Sequence, residues 1–192
     1  ELTDGTVKKV AGYTCDIFTD HALEFIKQNR QQPFLLSLHF RAPHAAWLPV
    51  RPEDWAPFKD LDPVIPNPDY PNLNVPVIKK RTREYLAAVK SVDRNVGRVL
   101  ALLEQLKLDR NTIVVFTSDH GYNLGEHGVW YKGNAVYALT KNPPQQWPKI
   151  PASRRPNLWD TSLRVPTAIR WPAVIKPKSK VNQTVSNLDW FP

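Results

Sequence analysis

The 192-residue sequence holds a single cysteine, Cys15, which excludes an internal disulfide framework. No apolar run approaches the roughly 20 residues that cross a bilayer as a helix. Basic residues outnumber acidic ones, 26 to 18, for a formal charge of +8, but they are scattered. They group only briefly, at Lys79-Lys80-Arg81 and Arg154-Arg155, with no basic helix and no aromatic interleaving. That pattern argues against a nucleic-acid partner. It leaves a basic surface that would favour an anionic one. No signal peptide is recognisable, the first residue is Glu, and the last phrase, Leu188 to Pro192, is apolar. The chain therefore reads as a piece of a longer protein, and missing targeting signals say little about location.

What is present fits a globular domain. A hydrophobic share of 42% is ordinary, and the length suffices for one sizeable core. Residues 16–30 read as a helix with Ile17, Ala22, Phe25 and Ile26 on one face, capped by Asp16 or Thr19. Phe34 to Phe40 reads as a buried strand with His39 within it, and Arg41-Ala42-Pro43-His44 follows its end. Residues 45–80 are rich in proline and read as an irregular loop, pinned to the body by Trp47 and Trp55. The clearest helix spans 83–108, with an apolar stripe through Leu86, Val89, Val92, Val96, Val99, Leu100, Leu103 and Leu106. Asp93 beside it reads as a structural carboxylate paired with an arginine. Residues 135–157 carry five prolines and read as a second irregular loop. Val165 to Trp171 is a third candidate buried strand. Strand, helix and strand in succession favour a mostly parallel sheet flanked by helices, with right-handed crossover.

The chemistry gathers in Thr112 to Gly133. The β-branched run Ile113-Val114-Val115-Phe116 reads as a buried strand, and Asp119, His120 and Gly121 follow its end. Ligands of open α/β sheets sit beyond the carboxyl ends of strands. Asp119 offers a hard anionic oxygen and His120 a neutral nitrogen, so the pair is placed to hold a cation. Gly121 allows a turn that a Cβ resists. Lys132 supplies a compact positive charge suited to an oxyanion. Asp-His-Gly by itself fits equally a strand-ending turn with a helix cap.

The longer pattern, Ser-Asp-His-Gly, Leu-Gly-Glu-His-Gly and Trp-Tyr-Lys-Gly, resembles the metal-and-sulfate segment of the type I sulfatases. These belong to the alkaline-phosphatase-like superfamily. The resemblance implies an α/β fold, present here in part, with residues 1–192 belonging to a single catalytic domain. It implies Asp119 and His120 as ligands of a divalent cation, usually calcium, and Lys132 as a sulfate contact. The phrase Pro33 to Pro49 resembles the segment that delivers a histidine to the sulfate, which implies His44. Its imidazole can donate a hydrogen bond to the ester oxygen. His127 is left as an orienting group. Trp159 to Pro166 resembles a further phrase of the family, but about two dozen residues separate it from Lys132, more than is usual.

The family nucleophile is a formylglycine made from a Cys or Ser that opens a Cys/Ser-x-Pro-x-Arg motif. No such motif occurs here: Cys15 is followed by Asp16-Ile17-Phe18-Thr19 and reads as an inert, half-buried residue. Nucleophile and remaining metal ligands are expected upstream. The resemblance thus implies a sulfuric ester hydrolase acting on a sulfated small molecule or glycan, in a periplasmic, secreted or lysosomal setting. The chain alone is expected to be inactive. Two alternatives stay open. One is a related phosphatase or phosphonate monoester hydrolase; the other is an inactive sulfatase-like domain that binds sulfated glycans.

Overall fold

The computed structural model describes residues 2–3, 6–7, 9–132 and 158–190, so the expected loop at 135–157 lies outside the described residues. Two compact units emerge: Glu1–Asp62 with Arg81–Leu108, and Pro63–Lys80 with Asp109–Pro192.

In the first unit, a small antiparallel ladder joins β1 (Leu2–Thr3) to β2 (Thr6–Val7). Helix α1 (Thr14–Asn29) follows. It buries Cys15, Thr19, Ala22 and Ile26, residues recurring at three- and four-residue steps. The expected cap by Asp16 or Thr19 does not form. Tyr13 holds the cap position without a side-chain bond, and Asp16 lies inside the first turn, buried. The reason is electrostatic: Asp16 meets arginines, as described below, and is not free to bend back to the helix end.

Residues 33–40, expected as a strand, join no ladder among the described residues. Alternate side chains are half-buried, with Phe25 and Phe34 packed edge to face at 6.0 Å, while Leu35 is 91% exposed. His39 is exposed and bonded to Ser37 at 2.7 Å. The expectation of a buried strand is therefore corrected: the periodicity of two is present, but only one face is covered.

The proline-rich stretch is not wholly irregular. It contains the short helix α2 (Pro52–Trp55), with proline in the first turn where its missing N–H costs nothing. Helix α3 (Val75–Gln105) starts eight residues before the expected position, at Arg83. Asn74 caps it by accepting the Val77 N–H at 3.3 Å, and Pro76 is tolerated in the first turn. Its end is a Schellman arrangement. Leu108 N–H donates to Leu103 O and Lys107 N–H to Glu104 O, with Lys107 at φ 58°.

The buried face of α3 differs from the expected apolar stripe. Ala87, Ala88, Val92, Leu102 and Leu103 are buried, but so are Ser91 and Asn95, whereas Val89 is 37% exposed. The polar members face a buried ion network. Arg94 Nη1 reaches Asp16 Oδ1 at 2.8 Å, and Arg94 donates from Nε and Nη2 to the carboxylate of Asp54. Arg51 Nε and Asn95 Nδ2 also donate to Asp16. Burial alone would raise the Asp16 carboxyl; the bonds from Arg51, Arg94 and Asn95 outweigh it and hold the group at about 2. Asp54 and burial pull the Arg94 guanidinium in opposite directions; Asp54 wins, so it stays above its usual value. Asp93 pairs with Lys90 at 3.5 Å, not with an arginine as expected, because the adjacent Arg94 takes the buried carboxylates. Cys15, expected to be half-buried, is buried, and burial raises its thiol.

In the second unit β3 (Val114–Phe116) pairs antiparallel with β6 (Ala168–Arg170), register Val115 opposite Ile169. A second antiparallel ladder joins β4 (Asn123–Leu124) to β5 (Trp130–Tyr131). The ladders among the described residues are antiparallel, where a parallel pair was expected from the strand–helix–strand order. The expected strands at 113–116 and 165–171 form in part, yet Val115 and Ile169 are each 44% exposed. A two-stranded ribbon has no neighbouring layer to cover both faces. The core of this unit lies instead around Ile65, Ile78, Val129 and Trp130.

Candidate active site

Strand β3 ends at Phe116, and the polar run Thr117 to Gly121 begins at once. The Asp119 carboxylate accepts from the His120 backbone N–H at 3.1 Å and from Ser118 Oγ at 3.3 Å. His120 Nδ1 lies 2.7 Å from the Gly121 carbonyl oxygen, which must accept, so Nδ1 carries the proton. In the neutral ring Nε2 then keeps its lone pair, 3.4 Å from Asp119 Oδ2. Asp119 is 83% exposed, so its carboxylate is open to a ligand.

This pair suits a cation. Two donors at right angles on a cation, each about 2.4 Å away, stand about 3.4 Å apart. A ring N–H fixed on a backbone carbonyl is the usual support of a ligating histidine. The pair supplies only part of a coordination shell. Among the described residues, no three His, Cys, Asp or Glu side chains gather at one point.

Gly121 is needed for a reason the sequence did not suggest. Its φ is not left-handed. Instead, helix α4 (Asp160–Leu163) presses on it: a Cβ there would lie 2.6 Å from Arg164 O and nearer still to Thr161 O. Gly121 N–H donates to Ser162 O at 2.9 Å. By contrast Gly125 does use its freedom, at φ 116°.

Lys132 follows β5, with Nζ 5.6 Å from the centre of the Tyr131 ring. The structure thus brings Asp119 and His120 together and places Lys132 directly after β5 in the same unit. His44 belongs to the other unit. There its backbone N–H donates to Arg41 O, closing a turn, and its Nδ1 lies 2.6 Å from Ala45 O. With Nδ1 again the donor, Nε2 is the acceptor nitrogen of the neutral ring. Trp47 Nε1 donates to Pro43 O at 3.0 Å, which holds the His44 turn closed.

Two groups that sequence reasoning passed over or left vague stand out. His127, at φ 55°, donates its backbone N–H to Asn67 Oδ1 and stacks its ring on Trp159 at 3.7 Å. Asn123 is fully buried and bonded to three other residues.

The chain matches the sulfatase family over residues 3–192. It belongs to that family. Steryl-sulfatase of Rattus norvegicus is 33% identical over 173 residues, 88% of this chain and 24% of the relative. Iduronate 2-sulfatase of Mus musculus is 30% identical over 158 residues, 65% of this chain and 28% of the relative. The sulfatase chain thus spans about a quarter of the length of the curated relatives it matches. Among solved structures, the candidate sulfatase yidJ of Bacteroides fragilis superposes with a TM-score of 0.64 at 28% identity, over 88% of this chain and 33% of the other. BT4656, solved with its substrate D-glucosamine-2-N,6-O-disulfate, shares the fold at a TM-score of 0.68 and 24% identity, over 90% of this chain and 46% of the other. The sulfatase fold here is therefore α/β and alkaline-phosphatase-like, the class expected, although the sheet within this stretch is small.

Proposed function

We propose that the longer protein carrying this chain is a sulfuric ester hydrolase, and that residues 1–192 form part of its catalytic domain. The observation that carries the reading is the Asp119–His120 pair. Its two donor atoms stand 3.4 Å apart, and the histidine tautomer is fixed by Gly121. Calcium, if bound there, would polarise the sulfuryl oxygens.

This chain's own residues then have separable tasks. Asp119 and His120 would hold one side of the cation. Lys132 would hold a sulfate oxygen by charge, and its position beside the Tyr131 ring keeps the ammonium at the strand end. His44, as the imidazolium, would protonate or hydrogen-bond the departing ester oxygen. No group in the chain matches the formylglycine precursor, so the nucleophile would come from elsewhere in the polypeptide. A sulfated small molecule or glycan is the substrate class, and a periplasmic, secreted or lysosomal location fits such substrates. No helix among the described residues is long and apolar enough to cross a membrane.

The test is turnover of an aryl sulfate and of the matching aryl phosphate by the full-length polypeptide with calcium. Faster sulfate turnover, lost on chelation, is expected. In Lys132→Ala, kcat/KM should fall by about 10²-fold or more, as for loss of one preorganised charge donor. Preferred phosphate turnover, or full sulfatase activity in Asp119→Ala, would refute the reading.

A further inference from the structure

Asn123 is 0% exposed, at the first position of β4, and its carboxamide touches three places that the proposed chemistry depends on. Nδ2 donates to Tyr131 O at 2.8 Å, the residue before Lys132. Nδ2 also donates to Ser162 Oγ at 2.5 Å, and Oδ1 accepts from Thr161 Oγ1 at 2.5 Å. Ser162 in turn receives the Gly121 N–H on its carbonyl, and the Gly121 carbonyl receives the His120 ring N–H. One buried amide therefore connects β5, which Lys132 follows, helix α4, and the backbone that orients His120.

The geometry points to Asn123 as a positioning residue of the candidate site, setting Lys132 and His120 relative to each other through Tyr131 and α4. The inference rests on the functional reading above. Packing alone does not demand an amide here. An apolar residue would avoid the cost of burying polar atoms, whereas an amide with both ends bonded fixes distance and orientation together. The residues it joins also flank the span from 133 to 157. Tyr131 precedes that span and Thr161 follows it, so the clamp holds the strand before it to the helix after it.

The test uses the full-length polypeptide with Asn123→Asp and Asn123→Ala. Asn123→Asp keeps size and the acceptor for Thr161 but removes the donors to Tyr131 O and Ser162 Oγ. Three quantities are read: amide exchange at Gly121 and at residues 130–132, the Kd for calcium by calorimetry, and kcat and KM on an aryl sulfate. Exchange is expected to quicken at these amides with α1 unchanged. Calcium binding should weaken about 10–100-fold, the range found for supporting partners of metal ligands. The loss should fall on kcat per folded molecule more than on KM. Thr161→Val should move all three in the same direction by less, and Thr161→Ser should restore them. It also decides the matter if the Asn123 variants do not fold. Folded variants with wild-type exchange and calcium Kd would overturn the inference. If the wild type binds calcium but leaves sulfate esters intact, the functional reading fails instead, and exchange and calcium Kd still decide the role of Asn123.

Discussion

Gly121 shows how much one missing Cβ can carry. The glycine follows His120, and the backbone of Thr161 and Arg164 crowds the space where a methyl group would go. Backbone cannot swing aside as the tip of a flexible side chain can. Gly121→Ala should therefore lose more than about 2 kcal/mol in urea unfolding, at the upper end of ordinary substitutions. A change of under about 0.5 kcal/mol would mean that α4 packs elsewhere. Asp16 makes a second argument at this scale. Its carboxyl is held at about 2 against an ordinary 3.8, so the folded state binds that proton more weakly than the unfolded chain. The stabilisation is complete above about pH 4 and is lost as pH falls through 2. At about 1.4 kcal/mol per unit, the contribution is about 2 kcal/mol. The urea midpoint of the wild type should drop across that window, and the drop should be shallower in Asp16→Asn.

At the scale of the element, α3 explains why a good sequence signal still gave the wrong outline. The stripe of Val and Leu at three- and four-residue steps marked the helix, but not its first turns. Pro76 there looks like a breaker, yet a proline in the first turn displaces no intrahelical bond, and Asn74 supplies the cap. The stripe also misjudged the buried face. Apolar periodicity cannot see that Asn95 is buried against an ionised Asp16 of α1, which Arg51 and Arg94 also hold, or that Ser91 meets Cys15. Arg94 ties α3 to both buried carboxylates, Asp16 on α1 and Asp54 on α2, so breaking it strands two charges at once. Arg94→Leu should lose about 3–5 kcal/mol, the usual cost of removing one partner of a buried pair. Thermal unfolding of Arg94→Leu beside Asp93→Ala, whose exposed partner is Lys90, would show whether the network matters; equal losses would contradict it.

For the whole molecule, what was legible was the local chemistry, and what was not was the surroundings. Asp119 and His120 follow an expected strand, and their contact follows from their adjacency. Asn123 gave no such signal, because its partners at 161 and 162 are distant in sequence. Burial of the strands was misread for a related reason. Alternating or continuous apolar runs imply a covered face, but the cover is another part of a sheet, and the chain spans about a quarter of the length of its curated relatives. Leu35, Ile113, Val115 and Ile169 stand open here in runs whose composition is that of a core. In the full-length polypeptide these positions should be protected. Comparing the chain alone with the full-length protein should show a hydrophobic dye binding the former far more strongly. It should also show an aryl sulfate turned over only by the latter, since no Cys/Ser-x-Pro-x-Arg motif occurs within these 192 residues. Equal dye binding per mole would mean that the apolar strand faces are natural surface. Turnover by the chain alone would place a nucleophile within these 192 residues, and the division of labour argued for His44, Lys132 and the Asp119–His120 pair would have to be rebuilt around it.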